Sequence, residues 1–485
     1  MNNVMFNDQV KDSLIKGVNL IGDAVSTTFG PNARNVIIKH RGGLKITKDG
    51  ATVATYVNDP DPFVQMGIDV VRDIAIKTAK DVGDGTSTSV ILSQAIVKHM
   101  ADSKLNPIEI QRKLKKDCDL IIEYLETKRR KISSYEDIKK VASLSANNDE
   151  KLGTLIADAF QQVGMYGVVN IEESESTQDS LKILNGMQID SGLLSPFFIN
   201  TDNNTCELEN VQIAIFPEKL TEVKQIMPIA DKANREGRAL LIIAPKIDSA
   251  IQNMLIMNQH HGFKSCCIQS PGRGIYRDLI LEDLKNIVGD DLICSKIIVD
   301  KETTTFINDK ERREFPEIIA SIKAKIENPD TAETDKIFYK KRLASYTGGV
   351  CTIKVGGFSK LEIQEKVDRI EDAVCATQAA LEGGILPGGG TSLYLAYNDL
   401  YEKLHCLKQA LIVPIKTLAV EELWDLVDTH VREFWKGINF KTGEVCDMYE
   451  EGIIDPFLVT KTSLENAVNS ASLILTNGCS ILKNE

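Results

Sequence analysis

Residues 81–90 read D-V-G-D-G-T-S-T-S-V, an aspartate between two glycines followed by four hydroxyl residues. Before this stretch, F-V-Q-M-G-I-D-V-V-R-D-I-A-I-K-T-A-K places Phe63, Met66, Val70 and Ile74 at three- and four-residue steps, the spacing of a helix face. After it, V-I-L-S-Q-A-I-V-K-H-M starts a second helical run. The glycine–aspartate loop therefore joins two helices and opens the second. A helix start offers unpaired N–H groups and a positive dipole end, and glycines let a ligand approach the backbone. The stretch thus suits an anion, although on these residues alone a plain helix cap by Asp or Ser is the commoner reading. No G-x-x-x-x-G-K-[ST] occurs anywhere, so a Walker-type nucleotidase is unsupported. A carboxylate beside phosphates makes chemical sense with a divalent cation between them, and magnesium favours that donor set.

Composition narrows the field. The 485 residues exceed one ordinary domain, so two to four are expected. The formal net charge of −12 is spread along the chain, which speaks against a general nucleic-acid binder. The ten cysteines form no C-x-x-C pair and read as buried, reduced thiols. The first residues lack the regions of a signal peptide. No apolar run reaches the ~18 residues of a membrane helix. The expectation is a cytoplasmic protein with neither nucleic acid nor membrane as partner.

Residues 1–128 read mostly helical, whereas from about 186 to 349 strand-like runs (A-L-L-I-I-A, K-I-I-V-D, T-T-T-F-I) alternate with helical ones. G-G-V-C-T-I-K-V-G-G (348–357) reads as a glycine-bounded strand, after which helical texture returns. A helical head and tail around an α/β middle suggest an inserted domain. Three further stretches could complete a nucleotide pocket: T-F-G-P-N-A-R-N-V (28–36), I-T-K-D-G (46–50) and P-G-G-G-T-S-L (387–393). Each alone is weak, and Lys-Asp-Gly is more often a solvated hairpin turn. His260, His261, Cys266 and Cys267 fit no common zinc spacing, so metal binding there is disfavoured. I-M-P-I-A (226–230) and S-A-I-Q-N-M-L-I-M-N (249–258) read as helices with apolar residues on more than one face. Met227, Met254 and Met257 would make such a surface adaptable, with burial of both faces as the ordinary alternative.

Taken in order, T-F-G-P-N-A-R-N-V, I-T-K-D-G, G-D-G-T-S-T-S, S-L-S-A-N-N-D-E, G-M-Q-I-D-S-G-L-L-S-P-F-F-I-N, R-I-E-D-A-V-C-A-T-Q-A-A-L-E-G-G, P-G-G-G and G-I-I-D-P resemble the group I chaperonins, the GroEL type, from about residue 6 to 478. The resemblance implies a chaperonin fold: a mostly helical equatorial domain (1–128 and 383–485), a small intermediate domain (129–185 and 350–382) and an inserted α/β apical domain (186–349). It implies ATP hydrolysis with magnesium, potassium being a further cofactor in the family. It also implies a homo-oligomeric ring of about seven subunits, single or double. Non-native polypeptides would be the clients, and a GroES-like co-chaperonin would be the lid.

Residue roles follow only at matching positions. Thr28, Phe29, Gly30 and Pro31 would border the nucleotide, with Lys48 near its phosphates. Asp84 would hold magnesium, while Gly85, Thr86, Ser87 and Thr88 wrap the phosphates. Gly389 would pack at the nucleoside, Asp455 would bind ribose, and Asn439 would meet the base. Phe440 and Lys441, however, replace small residues beside Asn439. Asp372, assisted by Asp49, would orient or deprotonate the attacking water. Gly186, Gly348 and Gly349 would form a hinge. Leu193, Phe197, Phe198, Met227, Ala230, Ile256 and Met257 would bind clients.

There are departures. Gln252 stands where the family has leucine, and Ala230 replaces a larger apolar residue. The segments before G-I-N-F and around G-D-D-L-I-C-S-K are shortened, and the chain ends in I-L-K-N-E without a Gly-Gly-Met tail. Three functions fit. An ATP-driven folding machine is favoured by the presence of Asp49, Asp84 and Asp372. The others are a non-hydrolysing holdase or structural ring, and an unrelated small-molecule kinase or ATPase.

Overall fold

The structure is a computed structural model that describes residues 4–31, 33–40, 43–132, 134–146, 149–174, 176–201, 204–260, 262–309, 314–419 and 421–482. The chain forms two compact units. One comprises Met1–Ala157 with Asp368–Glu485, the other Asp158–Val367.

The first unit is built around the helix Thr86–Met100, whose residues from Ser89 to Val97 are all buried. Apolar and small side chains on every face make it an interior helix rather than an amphipathic one. Helices Asn7–Ser26, Pro62–Val82 and Phe457–Leu475 pack around it. Where the central helix crosses Phe457–Leu475, the hydroxyls of Ser93 and Ser470 hydrogen-bond at 2.7 Å. Gly17 and Gly67 let the first two of these outer helices touch, since a Cβ on either would overlap a carbonyl oxygen of the other helix. The helix Pro107–Lys128 completes the core. Asp117 on that helix accepts the backbone N–H groups of His405, Cys406 and Leu407 at 2.6–3.1 Å and so anchors the segment that follows the helix Thr391–Leu400. Small antiparallel ladders finish the unit. Val4–Phe6 pairs with Cys479–Ile481, Val36–His40 with Gly43–Thr47, Ile385–Pro387 with Ile454–Pro456, and Lys436–Asn439 with Glu444–Asp447.

The second unit holds one eight-stranded mixed sheet. From edge to edge run Val168–Glu173, Val350–Val355, Ser180–Ile189, Thr304–Asn308, Ile293–Val299, Cys206–Ile215, Ala239–Ala244 and Ser265–Gln269. The runs read as strands from the sequence are all present. Strand Ser180–Ile189 changes partner along its length, pairing with Val350–Val355 through residues 180–184 and with Thr304–Asn308 through 185–189. Gly186 lies just past that change, inside the strand, and a Cβ there would overlap the Phe306 carbonyl. Gly348 caps the helix Glu333–Thr347, and Gly349 follows at φ 72°.

Candidate functional site

The opening loop shows why its glycines are glycines. Gly83 and Gly85 have φ of 71° and 82°, the left-handed region that side chains disfavour. A Cβ on Gly83 would overlap Cys375, and one on Gly85 would overlap Ser463. Asp84, held between them, accepts the Gly85 N–H at 2.5 Å. The helix begins at Thr86 with Gly85 as its N-cap, and no side chain caps it. The plain-cap reading therefore fails: the first-turn N–H groups of Thr86, Ser87 and Thr88 lack intrahelical acceptors and are available to a ligand.

Other elements converge on this helix start. Gly50 brings the short helix Gly50–Tyr56 against Ser87, since a Cβ at Gly50 would overlap the Ser87 hydroxyl. Asp49 caps that short helix, accepting from the Ala51 and Thr52 N–H groups at 3.1 and 2.7 Å. I-T-K-D-G is thus a strand-to-helix junction rather than a hairpin turn, with Lys48 exposed just before the cap. Asp372 lies on the helix Lys360–Gly383, one turn before the Cys375 that abuts Gly83. Asp455 pairs across its ladder with Leu386, beside Gly388.

These aspartates feel one another. Burial, then the charges of Asp84, Asp49, Glu371 and Asp368, push the Asp372 carboxyl up to about 8. Burial, then Asp84, pushes Asp455 up to about 7. Asp84 is raised as well, by burial and by Asp49, against the lowering effect of the Gly85 N–H. Asp84 and Asp372 are exposed residues with many protein atoms close around their carboxyls. A crowd of carboxyls held above their ordinary range is a place where a cation is stabilising.

Toward the other end, Gly30 (φ 80°) and Gly389 (φ 60°) both face Leu418, and Phe440 lies against Gly389. Phe29 packs on the same apolar cluster. Thr28 is buried, its hydroxyl donating to the Val25 carbonyl at 2.8 Å, and Pro31 is exposed. Asn439 spends its side-chain oxygen locally, accepting the Lys441 N–H at 3.0 Å within its hairpin turn.

The residues expected to bind clients divide by their exposure in the second unit. Phe197, Met227 and Met257 are 75, 48 and 64% exposed. Leu193, Ala230 and Ile256 are half-buried against the core. Phe198 is fully buried and belongs to the core, which corrects its assignment as a client contact. Pro196–Phe198 is a 3₁₀ turn, where successive side chains diverge by roughly a third of a circle, so Phe197 and Phe198 cannot share a face. Gln252, on the helix Ser249–His260, donates to the Ile247 carbonyl at 3.0 Å. Cys266 and Cys267 are buried in the strand Ser265–Gln269, where burial pushes the Cys267 thiol up to about 12. His261 lies outside the described residues.

The model of the TCP-1/cpn60 chaperonin family matches residues 21–481. The chain belongs to that family. Among solved structures, this chaperonin is similar to the chaperonin gp146 from bacteriophage EL 2 (Pseudomonas aeruginosa), crystallised in the presence of ATP-BeFx. The TM-score is 0.78 against crystal form II and 0.72 against form I, at 22% identity with all of both chains covered. The likeness shows the fold, and the fold is the one expected from the sequence: a mostly helical body carrying an inserted α/β part.

Two contributors to the cleft escaped the sequence reading. Cys375 sits one turn after Asp372, so helical spacing alone could have flagged it. Leu418 lies in no motif, and only packing reveals it. Among the described residues of this chaperonin, no group of three or more His, Cys, Asp or Glu side chains could hold a metal ion. Asp84 offers one carboxylate, which suits a cation that would take the rest of its shell from phosphate and water, as magnesium does. No helix among the described residues is long and apolar enough to cross a membrane.

Proposed function

We propose that this chaperonin binds ATP in the cleft around Asp84 and uses its hydrolysis to assist folding of non-native polypeptides inside a homo-oligomeric ring. The convergence of Asp49, Asp84, Asp372 and Asp455 on an uncapped helix start carries this reading. The N–H groups of Thr86, Ser87 and Thr88 hold phosphate oxygens, and Lys48 adds positive charge from its junction. Gly30, Pro31, Thr28 and Phe29 border the nucleotide. Gly389, Asn439 and Asp455 hold its nucleoside end. Magnesium on Asp84, when bound, neutralises phosphate charge. Asp372 orients the attacking water and takes its proton, with Asp49 in support.

In this reading, residues 1–128 and 383–485 form the equatorial domain, 129–185 and 350–382 the intermediate domain, and 186–349 the apical domain. Gly186, Gly348 and Gly349 form the hinge. Phe197, Met227 and Met257 capture clients, with Leu193, Ala230 and Ile256 at the margin. A GroES-like lid closes a ring of about seven subunits in the cytoplasm.

The raised Asp372 carboxyl favours one alternative, a holdase that binds nucleotide without turnover, because a protonated carboxyl takes no proton from water. Phosphate release and nucleotide binding by the wild type and Asp372→Ala separate the two. The expectation is retained binding with turnover reduced about 10²–10⁴-fold in the variant. Wild-type protein that binds ATP and releases no phosphate establishes the holdase. Equal release by both proteins overturns the role of Asp372.

A further inference from the structure

The strands Cys206–Ile215, Ala239–Ala244 and Ser265–Gln269 are parallel neighbours that end at one edge of the sheet. In open α/β sheets, ligands bind in the crevice outside the carboxyl ends of such strands. Here that edge opens on a cavity with a volume of about 340 Å³, a size that admits small molecules. Residues at or just past the strand ends, Ile215, Phe216, Pro217 and Pro245, make its apolar wall with Leu281.

Two observations give the cavity chemistry. Ser270, directly after the last strand, lines it, is only 8% exposed, and its hydroxyl has no hydrogen-bond partner among the described residues. A buried hydroxyl in that state calls for a partner from outside the protein. The helix Ile275–Val288 also presents both signs of charge at the cavity: Arg277 with Asp278, and Glu282 with Lys285. Arg277 and Asp278 pair at 3.2 Å. Neither the Glu282 nor the Lys285 side chain makes a hydrogen bond or ion pair among the described residues, not even with each other. Both signs of charge are therefore uncommitted within one helical turn, beside an apolar wall and an unsatisfied hydroxyl.

We propose that this cavity binds an apolar α-amino acid as its zwitterion. The carboxylate meets Lys285 and the Ser270 hydroxyl, the ammonium meets Glu282, and the side chain rests on Phe216, Pro217, Pro245 and Leu281. Residues three apart on a helix lie roughly 5–6 Å from each other, which matches a ligand whose two charges are adjacent. A polypeptide terminus brings only one of the two charges, and a plain hydrocarbon brings neither. None of its residues belongs to the nucleotide site proposed above.

Isothermal titration of the full-length protein with L-leucine, N-acetyl-L-leucine and L-leucinamide tests the assignment. The zwitterion should bind about tenfold more tightly than either analogue, each of which lacks one charge. Glu282→Gln should abolish discrimination against N-acetyl-leucine, and Lys285→Gln discrimination against leucinamide. Both positions are exposed, so the variants retain the fold, which circular dichroism verifies. Absence of leucine binding overturns the proposal. So do equal affinities for the three compounds, or unchanged discrimination in both variants.

Discussion

Replacing Gly83 by alanine tests whether the cleft depends on contact between its loop and the helix carrying Asp372. At φ 71°, alanine pays a left-handed backbone penalty of about 1–2 kcal/mol. Its Cβ would also overlap the Cys375 Cβ and lie 2.9 Å from the Sγ, an overpacking that costs about 1–3 kcal/mol. The single change should therefore destabilise by about 2–5 kcal/mol. Cys375→Gly removes the clashing atoms, so the double variant should recover the steric share and leave the backbone share. The expected coupling energy is about 1–3 kcal/mol. Urea unfolding followed by tryptophan fluorescence is the assay. The chain has only two tryptophans, Trp424 and Trp435, and both lie in the same compact unit as Gly83. Because Cys375 is one turn from Asp372, phosphate release should fall in Gly83→Ala and rise again in the double variant. A single-variant loss below about 1 kcal/mol, or a coupling indistinguishable from zero, would refute the packing of loop on helix.

The buried Phe198 and the exposed Phe197 should part company. Phe198→Ala is expected to destabilise by about 3–5 kcal/mol in calorimetry. Phe197→Glu should hold stability within about 0.5 kcal/mol while lowering suppression of client aggregation, and the reverse pattern would return Phe198 to the client surface. The raised carboxyls also set a pH dependence. Because Asp372 and Asp455 are held up at about 8 and 7, these two groups bind more protons in the folded protein than in the unfolded chain above about pH 4. Their contribution to the stability of the nucleotide-free protein should therefore fall as pH rises from about 4 to about 8, measured as the difference from Asp372→Asn and Asp455→Asn variants, and magnesium with nucleotide should flatten that slope. A wild-type-minus-variant stability that climbs with pH across the window would contradict the crowding of the aspartates.

Local features are legible in the residues alone. Apolar repeats at three and four residues marked the helices on either side of D-V-G-D-G-T-S-T-S-V, and β-branched runs marked the strands of the inserted part. The order of the glycine and aspartate motifs was enough to point to the chaperonins. Periodicity and turn chemistry are written in neighbouring residues, so a linear reading recovers them. It takes the packed fold to put Gly85, rather than Asp84 or a serine, at the helix start and leave three N–H groups open. The same packing crowds Asp49, Asp84, Asp372 and Asp455 together and turns Phe198 inward while Phe197 turns out. Those outcomes depend on distances between residues hundreds of positions apart and on which face of a turn meets the core. Close packing fixes both, and no local pattern encodes them.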